Sequence, residues 1–164
     1  MASVGRHFML TSEQDDQLLK AADDAARLAV VERLGKAVDD ENSLVTGGAW
    51  DAIHRCLTDG TLNLDGGDDP LAHAVLGGRH LCESDHSFIS HLTAQQVAAT
   101  ATALDGLDKD WLLSRYRKLT STDYDGPYDS DDFIATWDNL TNLRGFLQRA
   151  ATARRAVIFT VDFD

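Results

Sequence analysis

Residues 156–163 read AVIFTVDF, with Val157, Phe159, Val161 and Phe163 at alternate positions. Alternation of this length predicts a β-strand, because successive side chains of an extended chain point to opposite faces. A terminal strand this apolar needs partners in a sheet, where its backbone groups are paired and its apolar face is covered. The chain offers them at its other end and in its middle. VGRHFMLT at 4–11 puts Val4, Phe8 and Leu10 on one face with Arg6 as the exception, while RHLCES at 79–84 and DHSFISHLT at 85–93 read as extended segments.

Helical patterns fill the intervals. Thr11 stands three residues before Gln14, and Thr93 three before Gln96. Both pairs have the layout of a capping box, in which each side chain satisfies a backbone amide the helix leaves open. The first predicts a helix over 12–34 with a stripe of Leu18, Leu19, Ala22, Ala25, Ala26 and Ala29, stopped at Gly35. The second predicts one through Val97, Ala98, Ala101 and Leu104, ended at Asp105-Gly106. Further helices are expected at 108–119 and 130–152. Ser130 is read as the cap of the last, with Asp131 and Asp132 in its first turn.

Between the first two strand-like ends lie DDENSLVTGG at 39–48, read as a loop whose Thr46 or Gly47 could cap the next helix, and AWDAIHRCLTDG at 49–60. In that helix Trp50, Ile53, His54 and Leu57 fall on one face, and Asp51 to Arg55 is an i,i+4 ion pair. A short helical turn with Pro70 in its first position follows in DPLAHAVLGG at 69–78. Strands at both ends and in the middle, separated by runs of helices, predict an α+β fold. Its helices pack on one side of one small, mainly antiparallel sheet that includes the N- and C-terminal strands. Residues 1–164 are expected to form a single domain, a length that can bury a core without metal or disulfide staples.

Charge narrows the function classes. The chain has 27 acidic and 15 basic residues, a net charge of −12. Such a surface repels phosphate backbones, which argues against nucleic acid, and no segment approaches the roughly 20 apolar residues of a membrane span. The opening MASVGRHFML carries no apolar run of signal-peptide length, so a cytoplasmic protein with reduced Cys56 and Cys82 is expected.

Candidate chemistry is thin. A partly buried His54 beside Trp50 could serve as a base or ligand, or tether its helix to a backbone carbonyl; the second use is the commoner one for a histidine on an apolar face. His80, Cys82, His86 and His91 lack the paired spacing of a zinc site, and His86 and His91 would leave a strand on opposite faces. The acidic stretches at 63–69 and 123–132 lack the ligand register of a calcium loop. No phosphate-binding glycine loop, serine elbow, HExxH or CxxC is present. No metal and no cofactor is therefore expected.

Taken in order, AWDAIHRCLTDG, DPLAHAVLGG, FISHLTAQQVAA at 88–99 and the closing helix with its VIFTV strand resemble the YfbM-like family, bacterial domain of unknown function 1877. The matching positions are Trp50, Asp51, His54, Leu71, Gly77 and Gly78, and the resemblance implies an α+β fold with no established activity. Where family members tend to show a tyrosine-proline step, Gly126 here intervenes before Pro127. Two functional expectations follow. One is a non-catalytic acidic domain that binds a basic protein, such as an immunity or antitoxin-type partner. The other is a small enzyme or ligand-binding domain whose pocket draws on Trp50, Asp51, His54, Tyr124 and Tyr128.

Overall fold

The computed structural model describes residues 3–37 and 39–163, apart from the side chain of Ser121. Five strands form one antiparallel sheet: β1 (Gly5–Met9), β2 (Ser43–Gly47), β3 (Arg79–Glu83), β4 (Ser87–Leu92) and β5 (Val157–Asp162), in the order β2-β1-β5-β4-β3. The C-terminal strand lies at the centre, with Phe159 opposite His7 of β1 on one side and Ser90 of β4 on the other. The two ends of the chain therefore share one core.

Among the described residues six α-helices pack on this sheet: α1 (Ser12–Lys20), α2 (Asp24–Lys36), α3 (Ala49–Leu57), α4 (Ala94–Asp105), α5 (Lys109–Tyr116) and α6 (Ser130–Thr152). Both predicted capping boxes form, at Thr11 with Gln14 and at Thr93 with Gln96. Short-range chemistry decided those ends, so they were readable without the fold.

Three local expectations need correction. The segment 12–34 is two helices, because Asp23 leaves the helical conformation and accepts from the Ala26 amide as the cap of α2. Residues 43–47, read within a loop, are edge strand β2, paired with β1 through Arg6 and Val45. The caps also differ: Asp129, one residue before Ser130, caps α6 by accepting from the Asp132 amide, and α3 begins at Gly48 with no side-chain cap.

The largest correction concerns the layers. Helices cover both faces of the sheet. α3, α4 and α6 bury one core with Met9, Phe88, Leu92, Val157, Phe159 and Val161, while α1 and α2 bury a second with Phe8, Leu81, Ile89 and Ile158. The reason is visible in VIFTV itself, where Ile158 interrupts the alternation with a second apolar face. A strand buried on both sides reads as a continuous apolar run.

Candidate functional site

The densest group of ionisable side chains sits where α3 ends. The apolar face of α3 turns Ile53 and Leu57 into the core, and this carries Arg55 inward until its side chain is only 3% exposed. A guanidinium so far from water needs partners for its donors. Arg55 Nε donates to Asp51 at 2.6 Å, one turn back, and Nη1 donates to Asp123 at 2.5 Å and to the Gly60 carbonyl at 3.2 Å. One cation thus ties together α3, the loop after it and the loop before α6. Its hydrogen bond, with its positive charge, holds the Asp123 carboxyl below the usual carboxylate range. Asp51 goes the other way: its burial, outweighing Arg55, pushes the carboxyl up.

Tyrosines extend the junction. The Arg55 guanidinium lies 5.8 Å from the centre of the Tyr124 ring. Tyr124 Oη donates to Asp132 at 2.7 Å, and Tyr116 Oη donates to the same carboxylate oxygen. Tyr128 stacks on Tyr116 with ring centres 5.0 Å apart and donates to the Tyr116 and Arg117 carbonyls. Burial, reinforced by the Asp132 carboxylate, raises both the Tyr116 and Tyr124 hydroxyls well above the ordinary phenol range, so both stay protonated donors. The nearby Cys56 thiol is pushed up to about 12 by burial, which removes it as a nucleophile at neutral pH.

The five residues singled out in the sequence do not converge. Asp51, Tyr124 and Tyr128 meet around Arg55 and Tyr116. Trp50 instead lies against β1 and β5: its Nε1 donates to the Ser3 carbonyl at 3.0 Å, its ring is 5.8 Å from that of Phe159, and a Cβ on Gly5 would stand 2.7 Å from it. His54 is 1% exposed, and its Nε2 lies 3.3 Å from the Asn63 carbonyl, to which the Nε2-protonated tautomer donates. Burial lowers its pKa, so the ring is neutral and already engaged. Arg55 was legible only as the partner of Asp51. Asp123, Tyr116 and Asp132 carried no local signal for this assembly.

The outer side of the junction is acidic. Residues 56–78 and 119–143 together hold ten aspartates and no lysine or arginine. Asp59, Asp65, Asp68 and Asp69 of the first stretch and Asp123, Asp125, Asp129, Asp131 and Asp138 of the second are exposed. Among the described residues no group of three or more His, Cys, Asp or Glu is placed to hold a metal ion, and no helix is long and apolar enough to cross a membrane. What the arrangement offers is fixed charge on a braced surface, with Arg55 Nε and Nη1 and three tyrosine hydroxyls engaged inside it.

Comparison with known proteins agrees with the fold. The family described as "Domain of unknown function (DUF1877)" matches residues 1–160. The chain is 28% identical over 117 residues to the protein YfbM of Escherichia coli (strain K12), which covers 71% of this chain and 67% of that protein. The crystal structure of YfbM from Escherichia coli, described in its title as a protein of unknown function, superposes with a TM-score of 0.70. It spans 98% of this chain and 99% of that one at 24% identity, a likeness of fold.

Proposed function

The chain belongs to the DUF1877 family, and we propose that it is a non-catalytic acidic domain that docks a basic protein, in the manner of an immunity or antitoxin-type partner. One observation carries this reading: the two lysine- and arginine-free stretches with their ten aspartates are drawn together at Arg55. Negative potential on such a surface steers basic partners and repels nucleic acid. Buried Arg55 keeps the two loops in one place, so a partner meets a formed surface and little ordering cost. Free thiols at Cys56 and Cys82 suit a cytoplasmic setting.

The enzyme or small-ligand reading with a pocket at Trp50 and His54 has less support, since both side chains fill the core and each engages a ring nitrogen with a backbone carbonyl. Affinity purification from the native organism with quantitative mass spectrometry tests the proposal, using the wild type beside Asp68→Lys combined with Asp125→Lys. Neither carboxylate makes a hydrogen bond within the described residues, so the pair of changes alters charge and leaves the bracing intact. The expected result is a stoichiometric basic protein retained by the wild type and depleted from the variant. Recovery of an acidic partner, or equal recovery by both forms, overturns the proposal.

A further inference from the structure

We propose that the groove between α2 and the sheet is a binding site for a free α-amino acid with an apolar side chain. This groove, about 640 Å³, lies on the side of the sheet away from α3, and its apolar wall is Phe8 of β1 with Leu28 and Val31 of α2. Antiparallel pairing fixes what stands beside that wall. Arg6 is opposite Thr160, and Asp162 follows Thr160 two residues on, so the three project from the same face. A guanidinium, a hydroxyl and a carboxylate thus stand in sequence beside a hydrophobic surface.

Most of the polar capacity along this row is unspent. Arg6 makes no hydrogen bond or ion pair within the described residues, and Arg6 and Asp162 do not pair with each other. Thr160 is 8% exposed, lines the groove, and its hydroxyl makes no hydrogen bond within the described residues. Its donor and acceptor capacity is therefore open to the groove. Asp162 accepts one bond, from Ser87 Oγ at 2.9 Å, which leaves most of the carboxylate's acceptor capacity open. At the rim Lys36 and Glu32 neutralise one another at 2.7 Å.

The complement of this row is a zwitterion. A carboxylate fits the planar fork of Arg6 and the Thr160 hydroxyl, an ammonium fits Asp162, and an apolar side chain covers Phe8, Leu28 and Val31. A simple anion would meet Asp162 and a simple cation would meet Arg6, so a ligand carrying one charge satisfies only part of the row.

Isothermal titration with L-leucine and L-phenylalanine tests the site, with 4-methylpentanoate and 3-methylbutylamine as leucine analogues that lack the amino or the carboxyl group. At least one amino acid is expected to bind with a Kd of about 1 mM or lower. Each corresponding single-charge analogue, and each of the variants Arg6→Gln and Asp162→Asn, is expected to weaken binding at least tenfold. Amide chemical shifts of Phe8 and Thr160 in the wild type should move on titration, which reads the site without any substitution. Absence of binding by both amino acids, or affinities that the analogues and variants leave unchanged, overturns the proposal. Its failure leaves the acidic docking surface untouched, because the two lie on different sides of the sheet.

Discussion

The Arg55 junction and the α2 groove lie on opposite sides of one sheet and treat their polar groups in opposite ways. At the junction a buried guanidinium, three carboxylates and two tyrosine hydroxyls answer one another, with backbone carbonyls accepting from Tyr128 and from the rest of Arg55 Nη1. In the groove Arg6 and Thr160 have no such answer. A closed network costs stability when any one member is removed, since the partner left behind stays desolvated. An open row costs little to alter and is available to a ligand. The contrast teaches where to look for structure and where for function: the most conspicuous cluster of ionisable groups braces the fold, and only its exposed carboxylates are left free at the surface.

The sharpest break of this contrast is Arg55→Leu. It strands Asp51 and the Gly60 carbonyl and unties the two acidic loops, and the expected loss is about 3 kcal/mol in chemical denaturation. That is the low end for removing one partner of a buried pair, because Asp123 is exposed and can return to water. A loss below about 1 kcal/mol would place the Arg55 pairs with ordinary surface salt bridges.

Next in size is an effect of pH. His7 is fully buried between Phe159 and Phe146, with Nε2 held 2.9 Å from the Ala74 carbonyl, and burial lowers its pKa to about 4. Below about pH 6.5 the unfolded chain takes up a proton at this ring that the folded chain refuses, so stability falls with pH until about 4 and then levels. At roughly 1.4 kcal/mol per pH unit the loss approaches about 3 kcal/mol. The variant His7→Phe should lose the share of acid sensitivity that belongs to this window. Parallel stability curves for wild type and variant between pH 7 and 4 would refute the assignment.

A smaller effect is expected for His54→Ala, about 2 kcal/mol, from the unpaired Asn63 carbonyl and the space left in the core. An unchanged melting temperature would contradict the tether. The smallest is Arg6→Gln, which should stay within about 0.5 kcal/mol of wild type, as an exposed side chain without a partner does. A loss above about 1 kcal/mol would mean that the groove, like the junction, is bracing.

How much of this was legible in the sequence depended on the range of the forces involved. The capping boxes at Thr11 and Thr93 and the strand at Val157–Asp162 are local, and the sequence displays them directly. Strand β2 is not local: SLVTG is short, flanked by acids and glycine, and extended chiefly because β1 pairs with it. The break at Asp23 was hidden because alanine-rich flanks favour continuing a helix, whereas the cap chemistry of Asp23 favours restarting one. The second helical layer was announced by Ile158 and Phe8, apolar residues on the face opposite Val157 and Phe159. For the site, Asp51 with Arg55 was visible as an i,i+4 pair. The contact that gives it meaning, Arg55 to Asp123, spans 68 positions and exists only in the fold. The grouping of Trp50 and His54 with Tyr124 and Tyr128 failed because one helix directs its side chains to different neighbours around its circumference.

The central claim, that the braced acidic loops act by drawing in a basic protein, is tested most directly by the rate of association with the purified partner as ionic strength is raised. Attraction between surfaces is screened beyond roughly 8 Å at physiological salt, and exposed charges act on encounter more than on residence. The wild-type association rate should fall as salt increases. The Asp68→Lys and Asp125→Lys variant should associate more slowly at low salt and lose much of the salt dependence, with dissociation little changed. An association rate indifferent to salt, or one that the charge reversal leaves intact, would contradict the account.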